Sequence, residues 1–300
     1  MDPELEAALL ALPDVPPWHA LSVESARRLE DELFSTDVDH DCTVREFAVG
    51  GPGDDLPVRS YRPADDPLPT VVFLHGGGWT LGTLDSAEGV CVELAERVGC
   101  LVLSVDYRLA PEHPFPAAVE DARAAVKWAA EHAESVGGDG TVAVAGTSAG
   151  GGLAAATALR ARDAGLGLAA QLLLYPMLDP GLDTDSCREH ADAPLLTRAD
   201  LAWFWAQYLR SDADRYNPLA APPRAPEPSG LAPAVVATAG HDPLRSEGRA
   251  YADRLADAGV AVDHHHAPSL CHGFCSLTGR VPAAAAAFES IADDLEKRLS

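Results

Sequence analysis

The chain has 300 residues, 47% hydrophobic and 23% charged, values that exclude disorder, collagen and coiled coil as its main state. Acidic residues number 46 against 22 basic ones, for a formal net charge of −24. A field of that sign repels phosphate backbones and anionic lipids, so nucleic acid and membrane surfaces are poor partners for it.

The acids are scattered, and Lys127 and Lys297 are the only lysines. The surface therefore reads as acidic and solvated, with adaptation to high salt as the sharper alternative. The opening MDPELEAALL has acids where a secretory signal has positive charge. No run approaches the ~18 apolar residues of a membrane span. Cys42, Cys91, Cys100, Cys187, Cys271 and Cys275 form no C-x-x-C pair and read as reduced thiols. A cytoplasmic protein is expected.

In chain order, apolar positions at helical spacing over 4–12 and 22–34 predict a short helical start, broken by Pro13, Pro16 and Pro17. Strands follow at 42–49 and 57–62 around a Gly-Pro-Gly-Asp turn at 51–54. From residue 70, strand-length apolar runs at 70–74, 100–105, 141–145, 170–175, 233–239 and 259–263 alternate with helical patterns at 86–98, 117–133, 149–164, 246–258 and 283–299. Continuous apolar strands alternating with helices predict a mostly parallel sheet covered on both faces, an α/β fold in one domain of residues 1–300. The rhythm breaks between 175 and 233, where Trp203, Phe204, Trp205 and Tyr208 cluster. An excursion of this length is usually functional, and residues 183–212 are expected to form helices over the sheet edge.

Three motifs carry chemistry. Gly146-Thr147-Ser148-Ala149-Gly150 joins a strand to a helix, the context in which a serine sits on a strained turn with its hydroxyl exposed; a plain tight turn is the bland alternative. His75-Gly76-Gly77-Gly78-Trp79 follows the strand at 70–74. Its glycines bare backbone N–H groups suited to an oxyanion, and His75 is expected to brace the loop rather than act as base. Asp242 and His272 follow later strand patterns, so Ser148, Asp242 and His272 occur in the chain order of a Ser–Asp–His triad. Alone, Asp242 would pass for a helix cap and His272 for a loop histidine; three signals at three strand ends make coincidence improbable.

Over nearly its whole length the sequence resembles the bacterial hormone-sensitive-lipase-like (family IV) carboxylesterases of the α/β-hydrolase fold. The matching segments are HGGGW at 75–79, DYRLAPEHPFPAAVED at 106–121, GTSAGG at 146–151, DPL at 242–244 and HGF at 272–274. The resemblance implies Ser148 as nucleophile, His272 as base and Asp242 as its orienting acid. It implies an oxyanion hole from the amides of Gly76, Gly77 and Ala149. It also implies the GTSAG subgroup, a cap built from about 1–40 and about 183–212, and a capacity for homodimerisation through the last strand and helix. Asp106, Arg108 and Glu112 resemble the family's structural ion-pair segment. Departures fall at Ser246, Gly152 and Cys271, where the family commonly has Asp at the first and Asn at the second.

The expected reaction is hydrolysis of small short- to medium-chain carboxylic esters, without metal or organic cofactor. An arylformamidase-type amide hydrolase and a non-catalytic ligand-binding member of the fold are the alternatives. Trp79, Phe274 and Trp203 are candidate substrate-pocket residues, although aromatics at helical spacing more often build core. The cluster His264, His265, His266, Cys271, His272 and Cys275 invites a metal reading, but consecutive strand residues point to opposite faces, and no metal site is expected.

Overall fold

The computed structural model describes residues 1–13, 15–35 and 38–300. Helix α1, Pro3–Leu10, is capped by Asp2, whose carboxylate accepts from the N–H groups of Glu4 and Leu5, with proline in its first turn. Helix α2, Val23–Phe34, is capped by Ser22. Strands β1, Thr43–Gly50, and β2, Asp55–Arg62, form an antiparallel hairpin. Strand β3, Leu68–Leu74, then opens the alternating part of the fold. It continues through α3, Glu88–Val98, β4, Leu101–Val105, α4, Ala117–His132, β5, Gly138–Thr147, α5, Ala149–Asp163, and β6, Gln171–Leu174. The excursion contributes α6, Asp185–Glu189, and α7, Arg198–Tyr208. The chain closes with β7, Ala234–His241, α8, Arg245–Asp257, β8, Val262–Cys271, and α9, Pro282–Leu299.

Among the described residues the strands form one sheet in the order β1-β2-β4-β3-β5-β6-β7-β8. β2 runs antiparallel to both its neighbours, and the pairs from β4 to β8 are parallel. Alternation along each strand feeds two cores. Val72 and Leu74 face α4, α5 and α8, whereas Val71 and Phe73 face α3 and α9. Helix α5 is buried along most of its length and carries mainly Ala and Gly, which lets its backbone lie close against the sheet.

The last strand is the largest departure from the expected elements. It runs over Val262–Cys271 rather than 259–263. As the edge of the sheet it needs only alternate burial, so its polar run His264-His265-His266 is compatible with a strand although it breaks the apolar pattern. Pro268 sits near its bulge, where an edge strand tolerates proline. No helix among the described residues is long and apolar enough to cross a membrane.

Candidate active site

Parallel strands put their C-terminal ends on one edge of the sheet, where open α/β folds place their sites. His75 follows β3, Ser148 follows β5, Asp242 follows β7 and His272 follows β8. Ser148 adopts φ 52, ψ −118 between strand and helix, a costly conformation for a residue with a Cβ. The flanking glycines permit it: a Cβ on Gly146 would lie 2.2 Å from the Gly150 carbonyl oxygen, and one on Gly150 would lie 1.9 Å from the Leu74 carbonyl oxygen.

The elbow brings Ser148 Oγ to 2.9 Å from His272 Nε2, and His272 Nδ1 to 2.9 Å from Asp242 Oδ2. The second Asp242 oxygen accepts the Leu244 N–H at 2.8 Å, so the carboxylate is oriented from both sides. All three residues are buried, Asp242 completely. The structure thus brings together the three residues that the motifs singled out, across separations of 30 and 124 positions.

The glycine loop lies beside the serine, for a Cβ on Gly76 would meet Ser148 Cβ at 3.4 Å. Among the described residues, the N–H groups of Gly76, Gly77 and Ala149 donate to no protein acceptor. His75 braces the loop from beneath. Its Nδ1 pairs with the Gly76 carbonyl at 2.8 Å, and its ring stacks on Tyr107 with centroids 4.2 Å apart. Tyr107 in turn donates its hydroxyl to the His75 carbonyl at 2.8 Å. Burial holds the imidazole down at about 4, so it is neutral at pH 7 and Nδ1 is the donor.

Above Ser148 is a cavity of about 140 Å³. Trp18, Glu30 and Phe34 from the N-terminal segment form part of its wall, with Leu195, Leu196 and Phe204 from the excursion, and Tyr175 and Met177 after β6. The expectation that Trp79, Phe274 and Trp203 line it is corrected: none belongs to the wall. Trp79 is buried beneath α7, stacked on Tyr208 with centroids 4.1 Å apart and tilted against Trp205 at 4.4 Å. Phe274 is sealed behind Tyr175. Trp203 leans on Phe204 from outside the inward stripe Leu201, Phe204, Trp205 and Tyr208. That stripe is visible in the sequence as i, i+3, i+4 and i+7 positions and would have selected Phe204. Tyr175, with φ 37, and Leu195, with φ 68, lie in irregular backbone and had no motif to announce them. The positive φ of Trp79 (58) adds to the strained conformations gathered around the site.

The remaining motif residues act at one remove. Arg108 clasps Asp121 of α4 at the far end of the same segment, and Glu112 clasps Arg27 of α2, so the segment is tied to both helices. Arg27 also donates to the carbonyls of Thr80 and Ala110. Gly152, where Asn is common, lies so close to the Met177 carbonyl that a Cβ would meet it at 2.3 Å. Ser246 exchanges hydrogen bonds with Ser186 and fastens α6 to α8. Burial pushes the Cys271 thiol up to about 12, which keeps it protonated beside His272. In β8, His264 and His266 both reach Thr238, whereas His265 turns away to Asp294 of α9.

A mostly parallel eight-stranded sheet with an antiparallel second strand, and a Ser–His–Asp chain at its strand ends, define the α/β hydrolases. Residues 71–276 match the family model described as alpha/beta hydrolase fold, and the chain belongs to that family, among its hormone-sensitive-lipase-like carboxylesterases. It is 42% identical to the esterase LipI of Mycobacterium tuberculosis, with 94% of this chain and 91% of LipI covered. It is 46% identical to the carboxylic ester hydrolase LipN of the same organism over 86% of this chain and 71% of LipN. Among solved structures, a thermostable esterase from Pseudomonas putida superposes with a TM-score of 0.95 at 36% identity, covering 100% of this chain and 98% of that one. The protein is a carboxylic ester hydrolase.

Proposed function

We propose that Ser148, His272 and Asp242 hydrolyse short- to medium-chain carboxylic esters through an acyl-enzyme. The observation that carries this reading is the continuous hydrogen-bonded chain from Ser148 Oγ through His272 to Asp242, beside three N–H groups without a protein acceptor among the described residues. His272 Nε2 takes the Ser148 proton as Oγ bonds to the ester carbonyl carbon, while Asp242 fixes the tautomer and stabilises the imidazolium. The amides of Gly76, Gly77 and Ala149 receive the oxyanion, a task in which one donor is commonly worth about 10²–10³ in rate. The C–O bond to the alcohol breaks as His272 returns the proton to the leaving oxygen. Water, deprotonated by His272, then attacks the acyl carbon and Ser148 leaves with the proton.

The N-terminal segment and residues 183–212 serve in this reading as a cap over the cavity. Its support is the shared wall of Trp18 and Phe34 with Leu195 and Phe204, and the bond from Trp18 Nε1 to the Leu195 carbonyl at 3.1 Å. A cavity of about 140 Å³ favours short acyl chains. The six cysteines are buried and unbridged, which suits a reducing cytoplasm. The test is hydrolysis of p-nitrophenyl esters from acetate to palmitate by wild type and Ser148→Ala. Activity that peaks at short chains and drops by about 10⁴-fold or more in the variant is expected. Rates that climb steadily toward palmitate, or survive the substitution, overturn the reading.

A further inference from the structure

The cavity wall contains a carboxyl group that the hydrolytic steps do not use. Glu30 projects from α2 and is only 8% exposed. Its Oε2 is buried and has no hydrogen-bond partner among the described residues. The nearby cation on its own helix face is Arg27, one turn earlier, and Arg27 is committed to Glu112 and to the Thr80 and Ala110 carbonyls. Around the carboxyl stand the Ser86 hydroxyl and the Gly82 N–H, with Asp31 as a further negative charge. Burial foremost, and then Asp31 against the relief from Ser86 and Gly82, pushes the Glu30 carboxyl up to about 7.

A buried carboxyl with an idle oxygen and no counter-ion costs stability, and packing alone would be served better by Leu or Met. Glu30 is also one of the residues lining the mostly apolar cavity whose wall includes the serine. Such a group, surrounded by apolar walls, is what fixes orientation in a small-molecule site. A carboxyl of this kind offers both a donor and an acceptor when protonated, which matches a hydroxyl group.

We propose that Glu30 is a specificity-determining residue that hydrogen-bonds a hydroxyl carried by the buried portion of the ester, so that this enzyme favours hydroxylated esters over their plain counterparts. The assignment rests on the cavity over Ser148 being the substrate site. α2 can present the group accurately because Arg27 pins that helix to the body of the protein.

The test compares kcat/KM for ethyl 3-hydroxybutyrate (hydroxyl on the acyl side) and 2-hydroxyethyl butyrate (hydroxyl on the alcohol side) with that for ethyl butyrate. The wild type is expected to favour one of the hydroxylated esters over ethyl butyrate. Glu30→Leu and Glu30→Met, which keep bulk and remove the polar atoms, are expected to lower that preference ratio by about tenfold, the scale of one hydrogen bond. Glu30→Gln retains a donor and an acceptor and is expected to keep most of the preference. A wild type that prefers neither hydroxylated ester overturns the proposal without any variant, as does a ratio that Glu30→Leu or Glu30→Met leaves within about twofold. Persistence of ethyl butyrate hydrolysis in Ser148→Ala marks a different failure, that of the site itself.

Discussion

Ser148 holds its strained backbone because two neighbours have no side chain to obstruct it. The Gly150 position shows this most sharply, with a hypothetical Cβ 1.9 Å from the Leu74 carbonyl oxygen. Gly150→Ala must push α5 off the end of β3, and we expect a loss of about 2–4 kcal/mol in stability together with most of the activity. Urea unfolding checks it, and an unchanged midpoint would show that the contact is slack. A second residue-scale case is Glu247, fully enclosed in the core of the α8 start. Its carboxyl accepts the Leu178 N–H at 2.6 Å, and burial pushes it up to about 8. From about pH 4.5 to about 8 the folded protein therefore retains a proton that the unfolded chain has released. Stability attributable to this group falls as pH rises through that window. Glu247→Gln keeps the acceptor but cannot ionise. The stability of wild type relative to this variant should fall by on the order of a few kcal/mol between pH 5 and 8. A difference that stays flat or rises with pH contradicts the assignment.

At the scale of elements, the N-terminal segment and the excursion hold each other as well as the cavity. Asp200, at the start of α7, accepts the His19 N–H at 2.9 Å and contacts the His19 ring at 2.8 Å, while its other oxygen takes the Thr197 N–H and hydroxyl. Burial opposes its charge, yet these hydrogen bonds win and hold the carboxyl below its ordinary value. Asp200→Ala leaves several donors stranded and should cost about 2–4 kcal/mol at neutral pH. Because the carboxyl is depressed, that contribution is present at pH 7 and disappears as pH falls through the folded-state value. Loss of the tie should also raise KM by more than it lowers kcat, since it loosens Leu195 and Phe204 and leaves the triad in place. Equal wild-type and variant KM values would show that the two segments are positioned by packing alone.

The same scale shows what was readable beforehand. The glycine spacing of 146–150, the loop at 75–79 and the strand-end positions of Asp242 and His272 are local signals, and each marks a backbone requirement. The cavity wall is different. Tyr175 and Leu195 reach it through positive-φ backbone, which no periodicity encodes, and Trp79 is drawn away from it by stacking on Tyr208. Strand β8 escaped the apolar pattern because an edge strand has one side that need not be buried.

Across the whole molecule, the excess of 46 acids over 22 bases leaves many carboxylates with no cation to meet. Individual exposed pairs such as Arg28–Glu24 contribute little, so net repulsion outweighs them in the charge balance. Adding NaCl from about 0.05 to about 1 M shortens the Debye length to roughly 3 Å and should raise the Tm by several degrees. A Tm that falls over that range would mean that attractive pairs dominate despite the net charge.

The sequence by itself determined the alternation of strands and helices and the α/β class, which depend on local apolar period; it marked Ser148 by glycine at a fixed offset, and Asp242 and His272 by their order along the chain. Only the tertiary structure decided which side chains wall the cavity and that Glu30 stands among them without a counter-ion among the described residues. Those facts depend on how α2, α7 and the β6 loop pack together over the strand ends, and contacts between segments nearly two hundred residues apart leave no spacing in the chain to read.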